Sequence, residues 1–296
     1  MKDKKVLLAD LSLLIVAIIW GSGFVVTKGA LNHMSPMYIL FFRFIIAALV
    51  LTIISFKRLK KAKWIDIKAG LIVGIFMFLG FVTQTIGLQY TTVGVQAFIT
   101  ASNVVMVPFF YWFLTRKKPN SYEFFGAFLC FVGIGILSLD GNLKIGYGEF
   151  LTFLCAVSFA LQIVVVGYYA KNVDSYVLST IQLYIASILA FVLALIFEPP
   201  IYSIGTNMIL PVLYLGIFTT MIAFLTQNIA QKYTSSTHAA IILSLEAVFG
   251  SLLGIIILNE SITIKFVIGC VAILLSVLAS ETKFDFLKKK KIKQAI

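Results

Sequence analysis

The chain has 296 residues, of which 60% are hydrophobic and only 12% are charged, and its mean hydropathy is +1.03. Soluble domains contain about half apolar and about a quarter charged residues, so this composition excludes an ordinary water-soluble fold and predicts an integral membrane protein. The formal net charge of +12 could suggest a nucleic-acid partner. Because the basic residues flank apolar runs, we expect no nucleic-acid binding and interpret the charge as a topology signal.

A helix needs about 20 mostly apolar residues to cross roughly 30 Å of hydrocarbon. In chain order, the first five such runs are Leu11–Thr27, Met37–Phe56, Ala69–Leu88, Val93–Thr115 and Tyr122–Leu139. After a short polar stretch at Asp140–Gly146, the next five are Tyr147–Ala170, Ser175–Phe197, Asn207–Ala230, Thr237–Leu258 and Thr263–Ser280. The sequence therefore predicts an all-α integral membrane protein with ten transmembrane helices.

The basic residues also predict the orientation of these helices. When the loops are counted alternately, 20 of the 24 Lys and Arg residues fall on the side of the N-terminus. Short loops rich in Lys and Arg stay on the cytoplasmic side of the membrane. We therefore expect both termini to be cytoplasmic and the protein to lie in a bacterial-type inner membrane.

The two halves of the chain resemble each other. Residues 81–92 align with residues 224–235 at a constant offset of 143, and six of these twelve positions are identical. Each half contains an odd number of helices, so the second copy enters the membrane in the opposite orientation. We predict a first repeat at 1–139, a second, inverted repeat at 140–281 and a basic cytoplasmic tail at 282–296. An inverted repeat is typical of proteins that expose one central site to each side of the membrane in turn.

Several short motifs occur in an order and spacing that match a known family. They are Trp20-Gly21-Ser22, Pro36 followed by Arg43, Gln89-Tyr90-Thr91-Thr92, Ser244-Leu245-Glu246-Ala247-Val248 and Leu258-Asn259-Glu260-Ser261-Ile262. With them the chain resembles the EamA family of the drug/metabolite transporter superfamily over nearly its whole length. It departs from the family pattern at Ala247, where Pro is frequent, and at Asn259, where Gly is common. The resemblance implies two five-helix repeats and the export of amino acids, metabolites or drugs across an inner membrane.

Glu246 is the one carboxylate predicted to lie in the middle of a span. It follows Thr237 by nine residues, which at 1.5 Å per residue places it about 14 Å into the membrane. Its partner in the other repeat is Asn103, which also lies near the middle of a predicted helix and is likewise a candidate for binding the substrate. An ionisable residue in hydrocarbon marks a functional site or a specific partner. Glu246 is therefore a candidate for binding a cationic group or for carrying a coupling proton; the alternative is a hydrogen bond that only joins two helices.

Arg43 lies seven residues after Pro36, about 10 Å below the predicted outer surface. Its guanidinium suits two hydrogen bonds to one carboxylate, so Arg43 is a candidate for binding the carboxylate of a substrate. Together with an amine at Glu246, that contact would suit an amino acid. The alternatives are that Arg43 extends toward the membrane surface or bonds carbonyl groups at a helix end.

Uncharged and aromatic side chains complete the predicted substrate site. Gln84, Gln162 and Gln227 offer donors and acceptors that are expected to face the inside of the bundle, although Gln84 and Gln227 are also placed to cap or gate a span end. Trp20 and Tyr184 are candidates for stacking on a solute, while anchoring at the membrane interface is the alternative for Trp20.

Three classes of function remain open at this point. The first is a secondary transporter that exports small metabolites, with amino acids or related compounds as the leading substrates. The second is a multidrug pump or a lipid or prenyl-carrier translocase on the same fold. The third, an intramembrane enzyme, is disfavoured because the sequence lacks H-E-x-x-H, G-x-S-x-G and a pair of mid-span Asp residues.

The expected partners are a small-molecule substrate, membrane lipid and, as a candidate coupling ion, the proton. No nucleotide-binding loop or metal-ligand spacing occurs, so we predict no cofactor and no metal. Cys130, Cys155 and Cys270 fall inside spans and are interpreted as packing residues. A monomer and a homodimer are both compatible with the sequence.

Overall fold

The structure is a computed structural model that describes residues 2–116, 118–138, 145–201 and 205–282. The predicted basic tail at 282–296 lies outside the described residues except for Thr282. Most of the polar stretch at Asp140–Gly146 also lies outside them.

The described residues form helices at every predicted span, and the prediction of an all-α fold with ten spans is confirmed. Spans one to three are α1 (Lys2–Ala30), α2 (Pro36–Leu59) and α3 (Trp64–Tyr90). Span four consists of two helices, α4 (Val93–Ala101) and α5 (Asn103–Thr115). Spans five, six and seven are α6 (Ser121–Ser138), α7 (Tyr147–Tyr169) and α8 (Ser175–Phe197). Span eight comprises α9 (Thr206–Tyr214), a π-helical segment (Leu215–Ile222) and α10 (Ala223–Ala230), and spans nine and ten are α11 with α12 (Ser236–Leu243 and Glu246–Leu258) and α13 (Ile264–Thr282).

Eight spans are long and apolar enough to cross a membrane, while α6 and α13 contain shorter apolar stretches, Phe124–Leu137 and Ile264–Val277. Several helices extend beyond the predicted apolar runs; α1, for example, begins at Lys2 instead of Leu11. A helix satisfies its own backbone hydrogen bonds, so it continues past the hydrocarbon boundary into polar sequence.

We call the side where α1 begins and α13 ends the terminal face, and the opposite side the far face.

The internal repeat is visible in details of the backbone. Span four is interrupted at Ser102 and span nine at Ser244–Leu245, so that α5 and α12 begin 143 residues apart. Arg116 and Asn259, which end these helices, are also 143 apart, and both have a left-handed backbone with φ of 60° and 53°. Glycine adopts this conformation without strain, and Asn tolerates it better than most residues, which accounts for Asn259 at this position.

The two repeats interlock around the centre of the molecule. Helix α3 of the first repeat packs against α7 and α8 of the second, and α2 packs against α8. Conversely, α12 of the second repeat packs against α1 and α4, while α6 and α13 pair with each other. Close approach of α1 and α12 depends on Gly21, where an added Cβ would lie 2.6 Å from the Cβ of Phe249 and 2.8 Å from the backbone N of Gly250.

We expect Gly21→Ala to destabilise the protein by about 1–3 kcal/mol, because the added methyl group overlaps side-chain and backbone atoms of α12. Gly29→Ala is the matched control on the same helix, since a Cβ there meets no atom within 4 Å. The control should be neutral or gain up to about 1 kcal/mol from helix propensity. Thermal unfolding in detergent micelles measures both; equal midpoints for the two variants would refute the packing described for α1.

Candidate functional site

A narrow cavity lies between the two repeats at the level of the helix interruptions. Its volume is about 40 Å³. Seven of the eight residues predicted for the substrate site line it: Trp20, Arg43, Gln84, Asn103, Gln162, Gln227 and Glu246. Side chains from both repeats therefore converge on one site.

Equivalent positions of the two repeats face each other across this cavity. Pairs separated by 143 residues that line it include Phe81 with Phe224, Gln84 with Gln227 and Asn103 with Glu246. The Phe81 and Phe224 rings are 5.7 Å apart, and Phe81 also contacts Phe159 at 5.2 Å. The internal symmetry thus supplies an aromatic wall and two pairs of polar groups.

Arg43 is the buried cation of the site, with only 3% of its surface exposed. Its Nε donates to the hydroxyl of Thr220 at 3.0 Å, and its Nη2 donates to the hydroxyl of Thr219 at 2.9 Å. The guanidinium carbon lies 4.3 Å from the centre of the Phe81 ring, a cation–π contact. The side chain neither extends to the membrane surface nor bonds a helix-end carbonyl. Its Nη1 donates to no described residue and is available to a ligand.

The π-helical segment in span eight makes this arrangement possible. Its wider turn directs two consecutive residues, Thr219 and Thr220, toward Arg43, and π-helical turns are often associated with functional sites. The same distortion leaves the carbonyl of Thr219 able to accept a hydrogen bond from the indole N–H of Trp20 at 2.9 Å. Trp20 also contacts the ring of Phe224 at 5.0 Å, so it is held inside the bundle and does not anchor at the interface.

Glu246 is the buried acidic residue of the site and is 6% exposed. It is the first residue of α12, and the positive end of that half-helix favours a carboxylate at this position. Within the described part of the chain, its carboxylate accepts no hydrogen bond and forms no ion pair with Arg43. The helix-to-helix hydrogen bond required by the purely structural interpretation is thus not observed there.

Two amides leave buried polar atoms unsatisfied beside the cavity. The Nε2 of Gln227 donates to the Oε1 of Gln162 at 3.3 Å. The remaining atoms of this pair, Nε2 of Gln162 and Oε1 of Gln227, have no partner among the described residues. Gln84 and Gln227 lie inside their helices, before the ends at Tyr90 and Ala230, and face the cavity instead of capping a helix.

Tyr184 does not line the cavity, and its predicted place in the site is corrected. Its hydroxyl lies 3.0 Å from the hydroxyl of Thr52, at the interface of α8 and α2. The buried residues of α8 include the polar Ser179, Gln182 and Ser187, whereas Tyr184 is only partly buried.

Sequence reasoning also missed several residues of the site. Thr219 and Thr220, which hold Arg43, depend on the π-helical distortion, for which the apolar sequence gave no signal. Phe159 likewise resembled a core residue. Phe81 and Phe224 could have been found, because they are identical residues of the aligned repeat segments and lie one turn before Gln84 and Gln227.

Three carboxylates of the second repeat join it to the first at the far face. Glu198 accepts from the backbone N–H groups of Met37 and Tyr38 at 2.8 and 3.2 Å, at the start of α2. Glu260 accepts from the backbone N–H groups of Val93 and Gly94 at 2.6 and 2.9 Å, at the start of α4. The third carboxylate, Glu149, accepts from the hydroxyl of Thr91 at 2.7 Å. Both helix starts gain an anion where the helix dipole favours one.

A second set of polar contacts joins the repeats at the terminal face. Asp66 accepts from the backbone N–H of Asp174 at 2.9 Å, and Arg58 pairs with the Asp174 carboxylate at 2.9 Å. Asp10 of α1 lies 3.2 Å from His238 of α11. Burial raises the pKa of Asp174, but hydrogen bonds and charge from Arg58, together with backbone N–H groups, outweigh it and hold this pKa below its usual value. We call the contacts of Glu198, Glu260 and Glu149 the far-face contacts. We call those of Asp66, Arg58, Asp174, Asp10 and His238 the terminal-face contacts.

The Glu198 contact predicts a pH dependence of stability. Burial raises the pKa of Glu198 above its usual value of 4.5, although the N–H groups of Met37 and Tyr38 lower it in part. An acid with a raised pKa in the folded state binds its proton more tightly there than in the unfolded chain. Its contribution to stability is therefore greatest below pH 4.5 and is lost as the pH rises through the folded pKa.

Glu198→Gln should remove this component, so that the thermal unfolding midpoint falls less steeply over that pH range than it does in the wild type. The measurement is a series of unfolding scans in detergent from pH 4 upward. A variant that keeps the slope of the wild type would show that Glu198 does not titrate between the two states.

Comparison with known proteins bears on what such a cavity does. The model of the EamA-like transporter family matches residues 7–139 and again residues 146–281. A protein of Archaeoglobus fulgidus, named only as an uncharacterized transporter, is 37% identical over 274 residues, covering 93% of this chain and 86% of its own length. The uncharacterized transporter YvbV of Bacillus subtilis is 26% identical and covers 92% of this chain and 91% of its own.

More distant similarities extend to a plant and to a solved structure. A chloroplastic WAT1-related protein of Arabidopsis thaliana is 24% identical over 275 residues, which cover 87% of this chain and 66% of that protein. One crystal structure superposes with a TM-score of 0.69 at 19% identity and covers 94% of this chain and 98% of its own. At that identity the superposition establishes the fold alone.

Proposed function

The chain belongs to the EamA-like transporter family, and from this premise we propose that it is a secondary transporter that exports small zwitterionic metabolites, amino acids foremost. Solute would reach the central cavity from each side of the membrane in turn. The proposal includes the orientation expected from the basic loops, with both termini in the cytoplasm of a bacterial-type cell and the far face outside.

One observation carries the choice of substrate: the cavity holds a guanidinium with an unused Nη1 and a carboxylate without a partner in the described chain. Burying a charge without a partner is costly, so both groups favour a ligand of opposite charge. An α-amino acid supplies an ammonium group for Glu246 and a carboxylate for Arg43. The unused Nη1 would donate a charge-assisted hydrogen bond to that carboxylate.

The remainder of the lining supports a small solute with an apolar part. Phe81, Phe159, Phe224 and Trp20 form one wall, against which an aliphatic or aromatic side chain can pack. The space left between these side chains is small. A large drug or a lipid would require substantial widening, which is why these substrates rank second.

The contacts between the repeats support alternating access. Opening the far face requires the second repeat to release Met37, Tyr38, Val93 and Gly94, whereas opening the terminal face requires separation of Asp66 and Arg58 from Asp174. Each set can break while the other persists. When no amine occupies the cavity, a proton neutralises Glu246, which would couple export to proton entry.

Proteoliposomes loaded with labelled amino acids test the proposal. We expect Glu246→Gln to lower transport at least about tenfold, since a hydrogen bond to a charged group contributes about 1.5–3 kcal/mol. Any residual flux of the variant should not respond to a pH gradient that drives the wild type. Tyr184→Phe is the control: it also removes one polar group from a span, but outside the cavity, and it should retain at least about half of the wild-type rate because it breaks only one neutral hydrogen bond.

Transport by Glu246→Gln at the wild-type rate would refute the role of the carboxylate. If the wild type moves no amino acid but moves a lipophilic cation or a lipid analogue, the multidrug or lipid alternative takes its place.

A further inference from the structure

A strip of polar side chains continues from the cavity toward the terminal face between α7 and α10. Gln227 and Gln231 are four residues apart and therefore lie on the same side of the chain as it leaves α10. The Nε2 of Gln231 donates to the backbone carbonyl of Ile163 at 3.1 Å, and the hydroxyl of Ser236 reaches the same carbonyl at 3.5 Å. With Gln162, these three residues define what we call the amide strip.

The strip contains more hydrogen-bonding atoms than its own residues satisfy. Nε2 of Gln162, Oε1 of Gln227 and Oε1 of Gln231 are buried without a partner among the described residues. Leaving such an atom unsatisfied costs about 1–3 kcal/mol, and buried polar groups in folded proteins nearly always have a partner. The three atoms are one donor and two acceptors, and an ordered buried water typically bonds about three such groups.

The opposite end of the cavity is built differently. Leu88 and Phe24 line it there, and the Nζ of Lys28 donates to the carbonyls of Leu88 and Thr91 at 2.5 and 2.9 Å. At the same end of the molecule, the Glu260 carboxylate accepts hydrogen bonds from the backbone N–H groups of Val93 and Gly94 at the start of α4. The polar groups named at the far end are thus hydrogen-bonded, whereas three atoms of the amide strip have no partner among the described residues.

We propose that the amide strip of Gln162, Gln227, Gln231 and Ser236 is a hydrated passage between the cavity and the terminal face. Its use as the route of the solute rests on the proposed function; its hydration does not. Water in the passage satisfies the three unpaired atoms and offers a polar solute a continuous series of donors and acceptors.

The fold provides a way to widen this passage. Helix α10 directly follows the π-helical segment, which provides a weak point in span eight. At its terminal-face end the passage is narrow, because a Cβ added to Gly167 of α7 would overlap the hydroxyl of Ser236. A small tilt of α10 away from α7 would break the bond from Gln231 to Ile163 and open the passage without disturbing Arg43.

Cysteine accessibility tests the hydration directly. The matched variants are Gln231→Cys on the strip and Ala230→Cys beside it, both at buried positions and adjacent in sequence. A membrane-impermeant cationic methanethiosulfonate is added to the terminal face of vesicles whose orientation is checked with an N-terminal tag. The native cysteines are all buried, and their background reaction is subtracted using the wild type.

We expect Gln231→Cys to react at least about ten times faster than Ala230→Cys, because a thiolate forms and reacts where water reaches it. Ser236→Cys, a nearly isosteric change, should react as fast as Gln231→Cys, and Ala239→Cys is its buried control. This second pair tests the proposal even if Gln231→Cys does not fold. Equal rates within each pair, whether slow or fast, would overturn the proposal.

The labelling result separates this proposal from the proposed function. Fast labelling of the strip in a protein that transports no amino acid would retain the hydrated passage and reject the substrate. Amino-acid transport by a protein with an unreactive strip would reject the passage and retain the substrate.

Discussion

Hydrocarbon offers no hydrogen bonds, so each polar group within the membrane must find its partner inside the protein or in a ligand. Arg43 meets this requirement in part, through the hydroxyls of Thr219 and Thr220 and the face of Phe81. Glu246 does not meet it within the described chain. The distortion of span eight and the interruption of span nine both follow from this demand, because they bring hydroxyls and a helix N-terminus to the buried charges.

The inverted repeat explains why the site is central and why its two halves are chemically unequal. Symmetry places Asn103 and Glu246 at equivalent interruptions and brings Gln84 and Gln227 to one cavity. The first of these pairs holds one amide and one carboxyl group. The far-face contacts join carboxylates of the second repeat to helix starts of the first.

The sequence predicted the fold because its signals are global: runs of about 20 apolar residues, the bias of Lys and Arg, and an offset of 143. Arg43 and Glu246 were recognisable because ionisable residues are rare in spans. Tyr184 was a candidate because it is an amphipathic aromatic residue within a span, but its hydroxyl lies beside that of Thr52 of α2 and not at the cavity. Thr219 and Thr220 were missed because a π-helical turn depends on contacts between helices that local sequence does not encode.

The proposed contact that decides the substrate is the one between Glu246 and the amine of a zwitterionic solute. Its most direct test is a binding cycle by calorimetry in detergent, in which an amino acid and its analogue without the amine are titrated into the wild type and into Glu246→Gln. We expect loss of the amine to weaken binding to the wild type at least about tenfold and hardly to affect binding to the variant. An equal loss in both proteins would contradict it, because the amine would then be bound elsewhere.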